Sequence, residues 1–327
     1  MSMTHRRLLA VLVLLVGLCG CQAGSGEGPV APSDPTVHTV ETVHGPIEVP
    51  LEPRRIVALS YETVGQLASL GAEVVGAPGD ADERALLDEQ LQRHLAGVAS
   101  IGPAGDPDLA AVAALEPDLI VGDATTGPAS PDPTSPGPAS HAQLTRIAPT
   151  VIATGVDAGD WKSVVATLAD ASGTGALLTV VRNDYNAKVD DVRHRWSAEF
   201  DRWGFAPIAP GHRASTVRVL GPDDPIGAVH ADLELPLTAG FGAAATTGSD
   251  LAVEGLGDLL GPTDVVIVHT GGLHAERTGR GAPLRQLFRA LRAAGAGQVH
   301  GIEAPVTDYR TAMAYLDALD QQVLAEL

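Results

Sequence analysis

Short apolar runs and amphipathic stretches alternate along most of this chain, and the alternation predicts its elements. Arg55-Ile56-Val57-Ala58-Leu59 reads as a buried strand, a brief β-rich run that ends at Ser60-Tyr61. Residues 63–70 have helical spacing, with Val64, Leu67 and Ala68 on one face and Gly71 as the C-cap. Residues 74–76 form the next short strand. Helices follow at 82–96 and at 108–115, the second closed by Glu116-Pro117, and then strands at 118–122 and 149–153. A helix spans 161–171. A long one runs from Ala176 to about Trp203, with Leu177, Val180, Val181, Tyr185, Val189, Val192 and Trp196 at three- and four-residue steps.

A second α/β set begins near Ser215. It has a strand at 216–220, a helix at 251–260, a strand at 264–268 ending at His269, a helix at 284–294, a short strand at 298–301 and a closing helix at 311–327. The βαβα order predicts mostly parallel sheets covered by helices, hence two Rossmann-like α/β lobes bridged by one long helix. The expected division is an N-terminal lobe over 37–172, a connecting helix over 173–204 and a C-terminal lobe over 205–327. Residues 127–140 break the pattern with five prolines and almost nothing apolar to dock, which reads as a loop without structure of its own.

The first 21 residues have a different pattern. Arg6 and Arg7 precede an apolar run to Leu18, followed by Leu18-Cys19-Gly20-Cys21. A charged start, a run far short of the roughly 20 residues that span a bilayer, and a small residue before a cysteine read as an export signal over 1–20. Its end resembles a bacterial lipobox, which makes Cys21 the lipidated first residue of the mature protein; a signal cut without lipidation is the other reading. Residues 21–36, rich in Gly, Ser, Pro and Ala, read as a tether. Both cysteines lie in this segment, so the folded part has no disulfide, CxxC pair or thiolate metal site.

Charge narrows the partners. The whole chain carries a formal −19. Residues 1–20 hold Arg6, Arg7 and no acid, so the mature chain has 19 basic and 40 acidic residues, a net −21. Such a surface repels nucleic acid and anionic lipid, and tilts ligand preference towards a neutral or cationic complex. No GxSxG elbow, HExxH or P-loop is present. Gly240-Phe241-Gly242-Ala243-Ala244-Ala245 has a GxGxxA outline, but it follows no clean strand and reads as a loop.

Several segments resemble a known family. Gly45-Pro46-Ile47-Glu48-Val49-Pro50, Pro53-Arg54-Arg55-Ile56-Val57-Ala58-Leu59 and Leu70-Gly71-Ala72-Glu73-Val74-Val75-Gly76 resemble the opening of the iron-siderophore, haem and cobalamin binding proteins of ABC importers. Pro107-Asp108-Leu109, Leu115-Glu116-Pro117-Asp118-Leu119-Ile120 and Ile147-Ala148-Pro149-Thr150-Val151 resemble its next signatures, and Val217-Arg218-Val219-Leu220-Gly221 fits more loosely. The resemblance implies a binding lipoprotein rather than an enzyme. Its ligand is a ferric siderophore held between lobes, it has no cofactor, and its partners are a membrane permease and an ATPase. A haem or cobalamin carrier and an envelope protein without transport role stay open.

Strand ends nominate the ligand wall, because open α/β sheets bind at the carboxyl ends of their strands. These are Ser60, Tyr61, Asp123 and Thr125 in the first lobe, and Arg218, Leu220, His269 and Thr270 in the second, joined by Tyr309 and Arg310 before the last helix. A ferric siderophore already fills the iron's coordination positions, so no direct metal ligand is expected; haem would use Tyr61 or His269 as axial ligand. Zinc or manganese would need converging His and carboxylates, and the first-lobe strand ends offer no His. Trp161 and Trp196 sit on apolar helix faces and read as packing. The family pairs one acidic residue per lobe with permease arginines. Glu254 fits in the second lobe, whereas the first-lobe slot is Ala110, which leaves Asp108 as its substitute.

Overall fold

A computed structural model describes residues 36–85, 87, 89–103, 105–123, 141–155, 160–211, 216–238, 241, 250–252, 263–269 and 298–327. All lie in one compact unit, Pro35–Leu327. Cys21, the loop at 127–140, Thr125, Glu254, Thr270, most of the GxGxxA stretch and the helix expected at 284–294 lie outside the described residues.

The chain opens with an antiparallel hairpin, β1 (Val37–Thr42) and β2 (Gly45–Pro50), absent from the sequence reading. The first sheet follows: β3 (Ile56–Ala58), α1 (Tyr61–Ser69), β4 (Val74–Ala77), α2 (Ala81–Arg84), α3 (Glu89–His94), β5 (Ala99–Ser100), α4 (Leu109–Ala114), β6 (Leu119–Asp123), α5 (His141–Leu144) and β7 (Thr150–Ala153). Its strands are all parallel, in the order β5-β4-β3-β6-β7. β3, β6 and β7 are buried along their whole length, which is why they read as apolar runs rather than alternations.

Two helices, α6 (Trp161–Ala171) and α7 (Gly175–Arg195), lead to the short α8 (Ser197–Arg202) and the second sheet. That sheet takes β8 (Phe205–Pro210), β9 (Thr216–Val219), α9 (Pro225–Asp232), β10 (Asp250–Ala252), β11 (Val265–His269) and β12 (Gln298–Ile302), in the order β10-β9-β8-β11-β12. α10 (Tyr309–Gln322) and a 3-10 turn at Leu324–Glu326 close the chain. The architecture is therefore the expected mixed α/β fold, two five-stranded sheets with α7 as the long bridging helix.

Several expectations need correction. The long helix stops at Arg195: the Trp196 indole N–H donates to Asp320 of α10 at 2.7 Å, and the chain turns there into α8. Of its apolar stripe only Tyr185, Val189 and Val192 are buried, while Leu177 and Val180 face solvent. The helix expected at 82–96 is two helices, and the Gln92 amide donates to the Ala85 and Leu87 carbonyls between them. Asp250–Ala252, placed partly in a helix, pairs antiparallel with β9 as an edge strand. β8 was missed because Pro207 and Pro210 argue against a central strand, yet β8 is central. β9 runs against it, so the second sheet is not mostly parallel in the way the first is.

Two signature segments meet beneath the first sheet. The Asp118 carboxylate accepts the backbone N–H groups of Arg54 and Arg55, both at 2.8 Å. In return the Arg55 guanidinium donates to the Leu115 and Glu116 carbonyls at 2.5–3.1 Å. Glu116 adopts a positive φ of 44° before Pro117, a position an ordinary side chain takes only when its surroundings hold it. Asp118→Ala is expected to lower the unfolding free energy by about 1–2 kcal/mol, because both N–H groups then face water alone. A urea midpoint unchanged from that of the parent chain would contradict this.

Candidate functional site

The carboxyl ends of β3, β6 and β7 converge. Ser60 leaves β3 in an extended conformation and caps α1, its hydroxyl accepting the Thr63 N–H at 3.0 Å. At the end of β6, Asp123 is 2% exposed, and its carboxylate accepts from Ser60 and Thr63 hydroxyls at 3.0 and 3.2 Å. Past β7, Asp160 caps α6 by accepting the Ser163 N–H at 3.1 Å, which sets Trp161 as the first residue of that helix.

These ends form one wall of a cavity of about 80 Å³. Glu62 and Gln66, one helical turn apart on α1, line it together with Asp123, Asp160 and Trp161. The opposite wall comes from the second sheet's side: Pro225 at the start of α9, and Val306 and Thr307 before α10. The Gln66 amide N–H donates to the Thr307 carbonyl at 3.0 Å, tying the walls together. Two polar atoms of the lining are buried with no hydrogen-bond partner among the described residues: the Gln66 carbonyl oxygen and the Trp161 indole N–H. Both residues are only 4% exposed. Buried polar atoms are ordinarily satisfied, so an orphan donor and an orphan acceptor among the described residues of one small cavity make it the candidate site.

Below the cavity the walls are fixed. Trp161, Tyr185 of α7 and Tyr309 of α10 pack edge to face, with centroids 4.9–5.9 Å apart. The Tyr185 hydroxyl and the Lys162 ammonium both reach the Asp232 carboxylate at the end of α9, each at 2.5 Å. Burial and the Asp232 charge push the Tyr185 hydroxyl pKa well up, so it stays a donor. Lys188 pairs with Asp317, fastening α7 to α10.

The residues nominated from strand ends scatter accordingly. Asp123 lines the cavity and Ser60 holds it from behind. Tyr61 is the first residue of α1, buried, with its hydroxyl against Gly79; that glycine's φ of +88° and the ring's closeness leave no room for a Cβ. Arg218 pairs with Asp224, the residue that caps α9 just ahead of Pro225. Leu220 is buried, its N–H given to the Pro207 carbonyl. Tyr309 is interior, and Arg310 donates to Gln90 of α3 at 2.6 Å, a bond across 220 residues of sequence.

His269 is 2% exposed and packs with His230 and Tyr315, centroids 5.4–5.6 Å apart, away from the cavity lining. Asp108 is exposed, but its carboxylate caps α4 by accepting from Ala110 and Ala111. The sequence reading missed Glu62, Gln66, Asp160, Trp161, Val306 and Thr307. The strand-end rule was the available signal: applied to β7 as it was to β3 and β6, it points at Gly155, which also lines the cavity, and at the loop that leads to Asp160.

Among the described residues no group of three or more His, Cys, Asp or Glu is placed to hold a metal ion. No described helix is long and apolar enough to cross a membrane.

No protein-family model matches the chain. It is similar to a Bacillus subtilis protein named a probable siderophore-binding lipoprotein, 31% identical over 195 residues, 59% of this chain and 55% of the relative. It is also similar to a second Bacillus subtilis protein, provisionally named an ABC transporter substrate-binding lipoprotein, 28% identical over 170 residues, 51% of this chain and 48% of the relative. The chain thus spans about half the length of the curated relatives it matches. Among solved structures, a siderophore periplasmic binding protein from the fuscachelin gene cluster of Thermobifida fusca superposes with a TM-score of 0.63 at 21% identity, covering 84% of this chain and 98% of that one. That likeness establishes the fold, and the relatives' names agree with the resemblance read from the sequence.

Proposed function

We propose that this chain is the extracytoplasmic, lipid-anchored binding component of an ABC importer, which holds a ferric siderophore between its two sheets and delivers it to a membrane permease driven by an ATPase. The observation that carries the reading is the cavity between the sheets, with its orphaned Gln66 oxygen and Trp161 N–H. The names of the relatives, which describe binding proteins rather than enzymes, support it.

The chemistry required is modest. A ferric siderophore brings its iron already coordinated, so the protein supplies shape, an aromatic face and a few hydrogen-bonding atoms. Trp161 offers the face and a donor, Gln66 an acceptor, and Asp123 a carboxylate steadied by Ser60 and Thr63. The ties between Lys162, Tyr185 and Asp232 oppose large movement of one sheet against the other, so capture is closer to lock-and-key than to domain closure. Anchoring through Cys21 and permease docking through Glu254, with Asp108 as the first-lobe counterpart, complete the proposal.

Trp161 makes the test direct. Intrinsic fluorescence of the full chain in mild detergent is titrated with ferric hydroxamate, catecholate and carboxylate siderophores, with haemin and cobalamin alongside. Saturable, class-selective quenching at micromolar concentration or lower, diminished in Trp161→Phe, is the expected result. Silence across the panel would overturn the proposal. Haemin alone binding would move it to haem.

A further inference from the structure

Exposed apolar side chains gather where the described chain begins. Among the described residues four large hydrophobic side chains are exposed: Val43, Leu51, Leu177 and Val180. Scattered singly, such residues need no explanation; three of these four share one face. The Leu51 N–H donates to the Thr36 carbonyl at 2.9 Å, which sets Leu51 beside the point where the chain enters the fold. The Leu51 carbonyl lies against Gly173, just ahead of α7, and the Leu177 side chain lies against Gly71, just after α1. Leu177 and Val180, three residues apart, are neighbours on α7.

This face is uncharged in a strongly acidic chain. Residues 171–181 contain no Asp, Glu, Lys, Arg or His, although the whole chain carries a formal −19. Of the charges that flank the face in sequence, Glu52 pairs with Arg54 at 3.4 Å, and the Asp170 carboxylate lies 3.5 Å from the His38 ring. The face sits at the amino edge of the first sheet: Leu51 precedes β3, Gly71 precedes β4, and Gly173 follows α6. α6 starts at Trp161 on the cavity and ends at Ala171, about 15 Å away along its axis. The cavity and this face therefore lie at opposite edges of the sheet.

Resting on the lipid anchor at Cys21 in the reading above, we propose that this face is a seat on the outer surface of the bilayer. Residues 21–35 are 15 residues long and reach about 50 Å when fully extended. An anchor at their far end keeps Thr36, and with it Leu51, close to lipid at all times, so a modest apolar contact is enough to seat the chain. An uncharged face also escapes the repulsion between an acidic surface and anionic headgroups. A second copy is the weaker occupant, because it brings the same negative charge and is not held there by the chain. Seated this way, the protein holds its cavity away from the bilayer, where a chelate arrives from outside. It must leave the seat to present the cavity to a permease, so the contact is a reversible one.

The only cysteine of the mature chain is Cys21, whose sulfur carries the lipid, so an introduced cysteine is the only free thiol. Val180→Cys and, as a control, Asp223→Cys are labelled with a fluorophore that nitroxide quenches. Asp223 is exposed and lies two residues before Pro225 of the cavity lining. The full lipidated chain is placed in phosphatidylcholine vesicles, and flotation shows whether it is anchored. In vesicles that carry headgroup-level nitroxide lipid, the label at 180 is expected to be quenched at least twofold more than the label at 223. The difference should persist in 0.5 M salt, because an apolar contact is not screened. Leu177→Asp should abolish it, with an unaltered circular dichroism spectrum showing that the fold is intact. Equal quenching at both positions in a chain that floats would overturn the seat and leave the anchor standing. Shielding at 180 that needs no lipid and grows with protein concentration would give the face to a second copy and overturn the seat likewise. A chain that does not float would overturn the anchor and the seat with it.

Discussion

Replacing Tyr185 with alanine is expected to lower the unfolding free energy by about 4 kcal/mol, the range for deleting a buried aromatic ring. The ring is 1% exposed and forms the middle of the Trp161, Tyr185 and Tyr309 cluster. Truncation opens a void between α6, α7 and α10. It also removes the hydroxyl that shares the Asp232 carboxylate with Lys162. Tyr185→Phe separates the two contributions: the ring stays, the hydrogen bond to a charged acceptor goes, and about 1–3 kcal/mol is lost. Urea unfolding followed by circular dichroism reads both. A loss below 1 kcal/mol for the alanine variant would mean that α7 is not held by this cluster. Because Trp161 rests on Tyr185 and also lines the cavity, the alanine variant should weaken ligand binding as well as stability.

Acidification from pH 6.5 to about 4 is expected to cost about 3 kcal/mol through His230 alone. Burial lowers the His230 pKa from 6.5 to about 4, with the Asp224 carboxylate opposing in part. His269 is lowered too, by burial first, then by the His230 and Arg218 charges. Both rings stay neutral in the folded chain, where His230 Nε2 and the Tyr315 hydroxyl lie 2.5 Å apart. The unfolded chain takes up protons below pH 6.5 and the folded chain does not until about 4. Stability is therefore complete above 6.5 and falls as pH drops through that window. Asp308 acts in the opposite sense: burial raises its carboxyl pKa, so the stability linked to its protonated form is lost as pH rises. Urea midpoints at pH 7 and pH 5 measure the net slope. His230→Gln, which leaves Tyr315 a polar partner, should flatten it. A parent chain equally stable at both values would contradict the assignment.

The candidate site was partly legible from composition and order alone. Asp123 and Ser60 follow from the strand-end rule because β3 and β6 are parallel and central, so their carboxyl ends lie side by side. The rule carries less in the second sheet, where β9 runs against β8, so its carboxyl end lies at the edge opposite those of β8 and β11. His269 illustrates the cost: a strand-end histidine looks available in sequence, yet α9 and α10 cover it with His230 and Tyr315. Arg218 likewise looks like a donor for a ligand until Asp224, six residues on, turns back towards it.

What the sequence by itself determined is the class of the protein: apolar runs too short for anything but buried strands, amphipathic runs between them, a start patterned for export, and signature segments such as Arg54-Arg55 and Pro117-Asp118. Local periodicity and turn chemistry act over a few residues, and those features need no more than that. Only the tertiary structure decided which side chains share the cavity. Gln66 meets Thr307 across 241 residues, and Trp161 meets Tyr309 across 148. Whether a polar atom is satisfied or orphaned depends on such distant partners, and no periodicity encodes them. The orphaned donor and acceptor, which carry the functional reading, exist only once the two sheets have been brought together.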